Sequence, residues 1–412
     1  MWRGVRRMQY GYCGVGNMLN RMQQVGFDRA KKWWLDGNEQ IFKIAGYAGT
    51  GKTYLSAVIA EELAKERIAF CAFTGKAALV MRQRGMPATT IHQLIYNIEM
   101  RLVPHNNGYK RKLVSVLKDR LDPKPSIILV DESSMVSEKI LDDLLSFDIP
   151  VIAVGDPFQL PPVGSKDSDL LINPDVTLEE IMRQDEGSAI VYLAEKIRKG
   201  LPLKDDESAP GCIWQMSKRT VDDDTENIFK WADQIIAGRN ATVAKINQMA
   251  REYLGFTDTL PMIGDKIICK RNDWGTILLD GKIQTALVNG LVGYCTAVQQ
   301  TETLDKVPWK DEPVRTTEYA LNFRPTFEEK AEFQDIVFDP DSFYENKETR
   351  QYMKKMIFQF AYCITCHAAQ GSEWDNVILY DDSWHDKREP LFQARWRYTG
   401  ITRAAKHLVW LR

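Results

Sequence analysis

No apolar run in these 412 residues approaches the roughly 20 that a membrane-spanning helix needs. The basic stretch from Met1 to Arg7 has no apolar segment behind it of the kind a secretory signal carries, so a cytoplasmic setting is expected. The seven cysteines are odd in number and scattered, which speaks against a disulfide framework and for a reducing compartment. Cys363-x-x-Cys366-His367 imitates half a zinc site or a haem attachment, but no second cysteine pair lies near it. In a strand, positions 363 and 366 would also face opposite ways, so neither metal nor haem is expected there. There is little net charge, −2, which excludes a protein coated in basic surface but not a narrow basic groove. No internal repeat and no second phosphate-binding loop occur.

What is present is an ordinary globular composition, 44% hydrophobic and 27% charged, with length for two to four domains. Charge is unevenly placed. Residues 1–34 carry seven Lys/Arg against one acid, and residues 201–226 carry seven acids against three bases. Both are read as solvated faces or loops.

The chain is organised around Gly46-Tyr47-Ala48-Gly49-Thr50-Gly51-Lys52-Thr53, the P-loop pattern G-x-x-x-x-G-K-T. Its glycines allow a tight turn that aims backbone N–H groups at a phosphate. Lys52 can reach the β- and γ-phosphates, and the Thr53 hydroxyl can ligate Mg²⁺. The context fits: residues 41–45 read as a buried strand, while Leu55, Val58, Ile59 and Leu63 recur at helical spacing. The helix then offers its positive end to the phosphates.

Strand, tight loop and helix repeat along the chain, which predicts a parallel sheet covered by helices. Residues 68–73, 126–130 and 150–154 read as further strands. The third ends on Asp131-Glu132, 79 residues after Lys52, and the fourth on Gly155-Asp156. Acids at the C-terminal ends of parallel strands sit where open α/β sheets bind ligands. Asp131 would hold the hydrated Mg²⁺, and Glu132 would orient and deprotonate the attacking water. In Gly155-Asp156-Pro157-Phe158-Gln159-Leu160-Pro161-Pro162-Val163 a proline-stiffened loop could hold Gln159 rigidly near the γ-phosphate. Residues 93–125 break the rhythm with a basic turn and are expected to be a small hairpin insertion. Residues 200–226 read as an acidic loop. In 261–349 the runs 266–270 and 292–298, with the Asn289-Gly290 turn between them, suggest a small β insertion. Strands return at 358–365, 376–380 and 407–411.

The loop from Gly155 to Val163 resembles motif III of superfamily 1 helicases, and the surrounding pieces resemble the 5′-to-3′ branch, superfamily 1B, with its RecD-like and Dda-like enzymes. Leu19-Asn20-x-x-Gln23 is similar to the family's Q motif, whose amide reads adenine. The run from Ala72 to Ala78 resembles motif Ia, and Thr89-Thr90-Ile91-His92 a following motif; both contact single-stranded DNA. Leu178-Glu179-Glu180-Ile181-Met182-Arg183-Gln184 resembles motif IV, Thr365-Cys366-His367-Ala368-Ala369-Gln370-Gly371-Ser372-Glu373 motif V, and Tyr398-Thr399-Gly400-Ile401-Thr402-Arg403-Ala404 motif VI. Arg239-Asn240 through Asn247 resembles a segment that precedes the family's SH3-like element. Two positions depart from the pattern: Phe73 stands where the family has Pro, and Ala368-Ala369 replace Lys-Ser.

The resemblance implies an α/β protein of two RecA-like parallel-sheet domains. They would be 1A (19–92 and 126–175, after a tail of 1–18) and 2A (176–260 and 350–412), with a pin-like 1B hairpin insertion (93–125) and an SH3-like 2B β insertion (261–349). It implies ATP and Mg²⁺ as cofactors, with Lys52, Asp131, Glu132, Gln159, Arg183 and Arg403 catalytic. Nucleotide would be held by Gln23, Gly49, Thr50, Gly51, Lys52, Thr53, Gly371 and Glu373, and metal by Thr53 and Asp131. DNA would be gripped at Phe73, Thr74, Lys76, His92, Thr365 and His367. The implied activity is ATP-driven 5′-to-3′ translocation on single-stranded and fork DNA. It would be carried out by a monomer in a bacterial or phage-infected cell, alongside a single-strand-binding or replication protein. An RNA-directed helicase and a non-unwinding ATPase subunit of a nuclease or relaxase assembly are the alternatives.

Overall fold

The computed structural model describes residues 19–64, 67–105, 108–161, 171, 173–180, 188–202, 212–216, 225–280, 283–305, 314–327, 331–344, 355–382 and 389–412. Among them, no helix is long and apolar enough to cross a membrane.

The first lobe is built on a six-stranded sheet in the spatial order Thr89–Thr90, Ile68–Ala72, Ile127–Asp131, Val151–Gly155, Ile41–Gly46, Val176–Leu178. Every pairing is parallel. Ile127–Asp131 and Val151–Gly155 are buried at each position. Continuous apolar runs of this kind belong to central strands covered by helices on both faces. The P-loop helix, Lys52–Ala64, buries Leu55, Ile59 and Ala60 against the sheet. The helix before it, Arg21–Asp36, starts at Asn20 with a reciprocal capping box to Gln23.

The second lobe is a five-stranded parallel sheet in the order Cys363–Thr365, Gln234–Ala237, Trp374–Tyr380, Ala404–Leu411, Ile213–Met216. Beside it stands an antiparallel sheet of Phe333–Phe338, Val314–Pro325, Val292–Asp305, Lys266–Cys269 and Phe358–Phe360. Two separate hairpins complete the architecture, Tyr96–His105 with Gly108–Leu117 and Asp273–Asp280 with Ile283–Leu287.

Four expectations are corrected. Val176–Leu178 belongs to the first sheet, pairing with the P-loop strand through Ile44 and Val176, so the first lobe runs past 175. The acidic stretch contains an edge strand, Ile213–Met216, beside Ala404–Leu411. The Asn289-Gly290 turn does not join 266–270 to 292–298 directly, because the hairpin 273–287 lies between them. The run 358–365 is two strands in two sheets, Phe358–Phe360 in the insertion and Cys363–Thr365 in the second lobe. Buried amides hold that crossing open. Gln234 Nε2 donates to the carbonyls of Ala361 and Tyr362, and Asn247 Nδ2 to those of Phe360 and Cys363. Unpaired carbonyls there would each carry a desolvation cost.

One buried pair pins the insertion to the second lobe. Arg251 meets Asp265 in a bidentate contact, 3.0 Å at both oxygens, while Tyr362 Oη and Met262 N donate to the same carboxylate. Removing one partner leaves a buried charge uncompensated. Asp265→Ala is expected to destabilise the protein by about 3–5 kcal/mol and lower the urea unfolding midpoint; an unchanged midpoint would show that the pair anchors nothing.

Candidate active site

The P-loop turns with Gly49 at φ 77° and Gly51 at φ 74°, a region costly for residues with a Cβ. Tyr47 O accepts from Thr50 Oγ1 at 2.8 Å and from Lys52 Nζ at 3.5 Å. Thr53 Oγ1 donates to Asp131 Oδ2 at 3.2 Å, so the two expected metal ligands lie side by side. Glu132 follows in the left-handed region, φ 52°, its N–H donating to Asp131 Oδ1. Such a conformation costs on the order of 1–3 kcal/mol for a residue other than glycine. It is held by the turn 133–135, which packs on Gly155 so closely that a Cβ there would lie 2.6 Å from Ser133 Oγ.

Burial, then the Glu132 charge, raises the Asp131 pKa, opposed by the Glu132 N–H, Lys52 and Thr53. Asp156 is also raised by burial, against Lys52 and a hydrogen bond from Tyr398. Lys52 thus faces several carboxylates. Glu132 Oε2 and Gln159 Oε1 are buried without a hydrogen-bond partner among the described residues. Orphaned acceptors cost about 1–3 kcal/mol each. These acceptors, beside a Thr–Asp ligand pair, fit a hydrated divalent cation and its water.

The loop after Val151–Gly155 ties the lobes together. Leu160 is fully buried inside the second lobe's core, with Leu193, Ile197 and Trp396. Leu160 N donates to Thr399 Oγ1 at 3.1 Å, and Gln370 Nε2 donates to Leu160 O at 3.0 Å. Tyr398 Oη accepts from Ala48 N at 3.0 Å and donates to Asp156 Oδ2 at 2.7 Å. Asp156 and Tyr398 were not selected as site residues from the sequence. Asp156 carried the same signal as Asp131, an acid ending a buried strand; nothing about Tyr398 announced that its hydroxyl reaches the P-loop.

The remaining expected residues divide. Gln23 is buried; Oε1 accepts the Asn20 N–H in the capping box and Nε2 approaches Thr50 O at 3.5 Å. Arg403 is buried on carbonyls and a hydroxyl of its own lobe, Thr399 O, Ser372 O and Thr402 Oγ1. Arg183 lies outside the described residues. Gly371 was expected at the nucleotide, but it abuts the motif Ia helix: a Cβ on it would lie 3.1 Å from Ala77 Cβ. Glu373 is exposed and lines a cleft of about 910 Å³ with Lys266 and Tyr362.

The expected nucleic-acid residues form two groups. In the first lobe, His92 is exposed and packs between Phe73 (centroids 6.0 Å apart) and Tyr96 (5.6 Å), a short aromatic track at the base of the hairpin. Thr74 caps the helix Gly75–Gln83, accepting from Ala77 N. Lys76 lies against Gly290 of the insertion, and burial lowers its pKa to about 8. In the second lobe, Thr365 caps the turn Cys366–Ala369 and lines a half-open cleft of about 720 Å³ with Asn240, Asn247 and Phe360. Burial lowers the pKa of His367.

A family model for an AAA domain matches residues 27–209, and one for a UvrD-like helicase C-terminal domain matches 360–411. The chain is 27% identical over 289 residues to the ATP-dependent DNA helicase dda of Enterobacteria phage T4, covering 64% of each. It is 25% identical over 376 residues to the ATP-dependent RecD2 DNA helicase of Deinococcus radiodurans, covering 88% of this chain and 45% of that one. It spans between 39% and 64% of the length of the curated relatives it matches. Its fold is that of Bacteroides Pif1 solved with ADP-AlF3 and single-stranded DNA, at TM-score 0.53, 18% identity and coverage of 96% and 92%. On its motifs, these matches and its paired parallel sheets, the chain is similar to the superfamily 1B helicases, the RecD-like and Dda-like proteins.

Proposed function

We propose that the chain is a Mg²⁺-dependent ATPase that moves 5′-to-3′ along single-stranded DNA and separates duplex at forks, working as a monomer. The observation that carries this is the convergence of the P-loop, Asp131-Glu132 and Gln159 on the seam where the motif VI helix end docks. One site is thereby shared by two lobes of one chain. The relatives named dda and RecD2 are ATP-dependent DNA helicases, and the Pif1 fold has been solved on single-stranded DNA, which supports the same class of ligand here.

In this reading the P-loop amides and Lys52 hold the phosphates, and Glu132 takes the proton of a water that Gln159 orients. Thr53 and Asp131 would hold Mg²⁺, which would supply positive charge beside the phosphates. Arg183 and Arg403 reach the γ-phosphoryl group as the lobes close; a planar permanent cation suits charge spread over its oxygens. ATP touching both lobes favours closure, and its loss relaxes it. The strand crosses from the Phe73–His92–Tyr96 track to the Thr365 cleft, with bases stacked on rings and phosphates met by Thr74, Lys76 and His367. Domain 1A is then 19–92 and 126–178, 1B is 93–125 with the hairpin at 96–117 as the duplex-splitting pin, 2B runs from 261 to 360, and 2A is 179–260 and 361–412.

Lys52→Ala is expected to abolish DNA-stimulated hydrolysis, and Glu132→Gln to abolish hydrolysis while retaining ATP binding. These are read by phosphate release and by a fluorescent nucleotide; normal turnover in Glu132→Gln would remove the assigned base. Comparing single-stranded DNA with RNA as activator in the same assay tests the polymer, and equal or better stimulation by RNA would refute the DNA reading.

Because Lys76 loses its proton around pH 8, its charge on a phosphate fades from pH 7 to 9. Single-stranded DNA affinity is expected to fall across that window, and Lys76→Arg, charged throughout, to flatten the fall. The same slope in both proteins, followed by fluorescence anisotropy, would take Lys76 off the phosphate path.

A further inference from the structure

Two consecutive residues at the start of the P-loop are gripped by the opposite lobe. The Tyr47 ring carries the Arg198 guanidinium at 3.8 Å, and the Ala48 N–H donates to Tyr398 Oη at 3.0 Å. Tyr398 is 2% exposed and Asp156 0%, so their 2.7 Å contact is out of water. The phenol donates to the Asp156 carboxyl, and its lone pair takes the Ala48 N–H. The second oxygen of Asp156 accepts from Phe158 N at 3.0 Å, and the Phe158 ring stands edge-on to Tyr398, centroids 5.3 Å apart.

One hydroxyl therefore joins two loops of the first lobe. One loop ends in Lys52, whose ammonium rests on the carbonyl of Tyr47, the residue beside Ala48. The other leads within three residues to Gln159. A phenol fixed between an amide and a carboxylate, all buried, sets their separation to a few tenths of an ångström, and low polarity strengthens both bonds. Misplacing a reacting group by about 1 Å can cost on the order of 100-fold in rate.

We propose that Tyr398 is a positioning residue for ATP hydrolysis: by bridging Ala48 N–H and the Asp156 carboxylate it sets the Lys52 loop against the Gln159 loop whenever the second lobe is seated. The proposal rests on the ATPase reading above. It assigns to the second lobe a direct hold on the P-loop that does not pass through either arginine.

Tyr398→Phe keeps the ring and its packing and removes only the hydroxyl. In the full chain with single-stranded DNA, kcat is expected to fall about 10- to 100-fold with KM for ATP within about two-fold, in a protein still folded at the assay temperature although its unfolding midpoint falls because two buried groups lose their partner. Asp156→Asn, which retains an acceptor for Tyr398, is expected to keep more activity than Asp156→Ala. Tyr398→Phe with Asp156→Ala is expected to be no worse than the weaker single variant, as coupled groups require. Wild-type kcat in Tyr398→Phe, or independent multiplication of the two losses, overturns the proposal. Lys52→Ala separates the layers. If it is inactive while Tyr398→Phe is normal, the bridge alone fails; if Lys52→Ala still turns over, the ATPase reading and the bridge fail together.

Discussion

The seam at Leu160 and Tyr398 is the constraint on which the rest depends. Leu160 leaves the first sheet and is buried in the core of the second, which contributes about 1.5–3 kcal/mol of apolar burial to holding the lobes together. The polar atoms around it are matched across the same boundary, to Thr399, Gln370 and the Asp156–Tyr398 pair. Apolar burial supplies attraction without direction, and the hydrogen bonds supply register. A short loop can therefore fix how two sheets face each other.

That register decides the electrostatics. Asp131, Glu132 and Asp156 lie around one lysine, and burial raises the pKa of Asp131 and Asp156. Such a cluster is short of positive charge. Lys52 offsets part of it, and in the proposed mechanism Mg²⁺ and Arg403 would supply the rest. Arg403 is held on carbonyls of its own lobe.

The face proposed to meet nucleic acid is tied to the same seam. The helix Gly75–Gln83 starts on the Thr74 cap, meets Gly371 of the second lobe and lies under Gly290 of the insertion. The insertion is in turn locked to the second lobe by Arg251, Asp265 and Tyr362. Second lobe and insertion are therefore joined to each other, and both touch the helix Gly75–Gln83 of the first lobe.

Sequence alone determined the parts whose signal is local. Gly49, Gly51, Lys52 and Thr53 are legible because a phosphate cradle needs those residues in that order. Asp131 is legible because an acid ends an unbroken buried strand, and the hairpin 96–117 because a basic turn breaks the α/β rhythm. Only the tertiary structure decided what depends on distance through space. It gave Val176–Leu178 to the first sheet, cut 358–365 into two strands by satisfying its carbonyls with Gln234 and Asn247, and brought Tyr398 to Ala48 across 350 residues of chain. The physical reason is that periodicity and turn chemistry act over a few residues, whereas a buried hydroxyl is positioned by the packing of two separate cores.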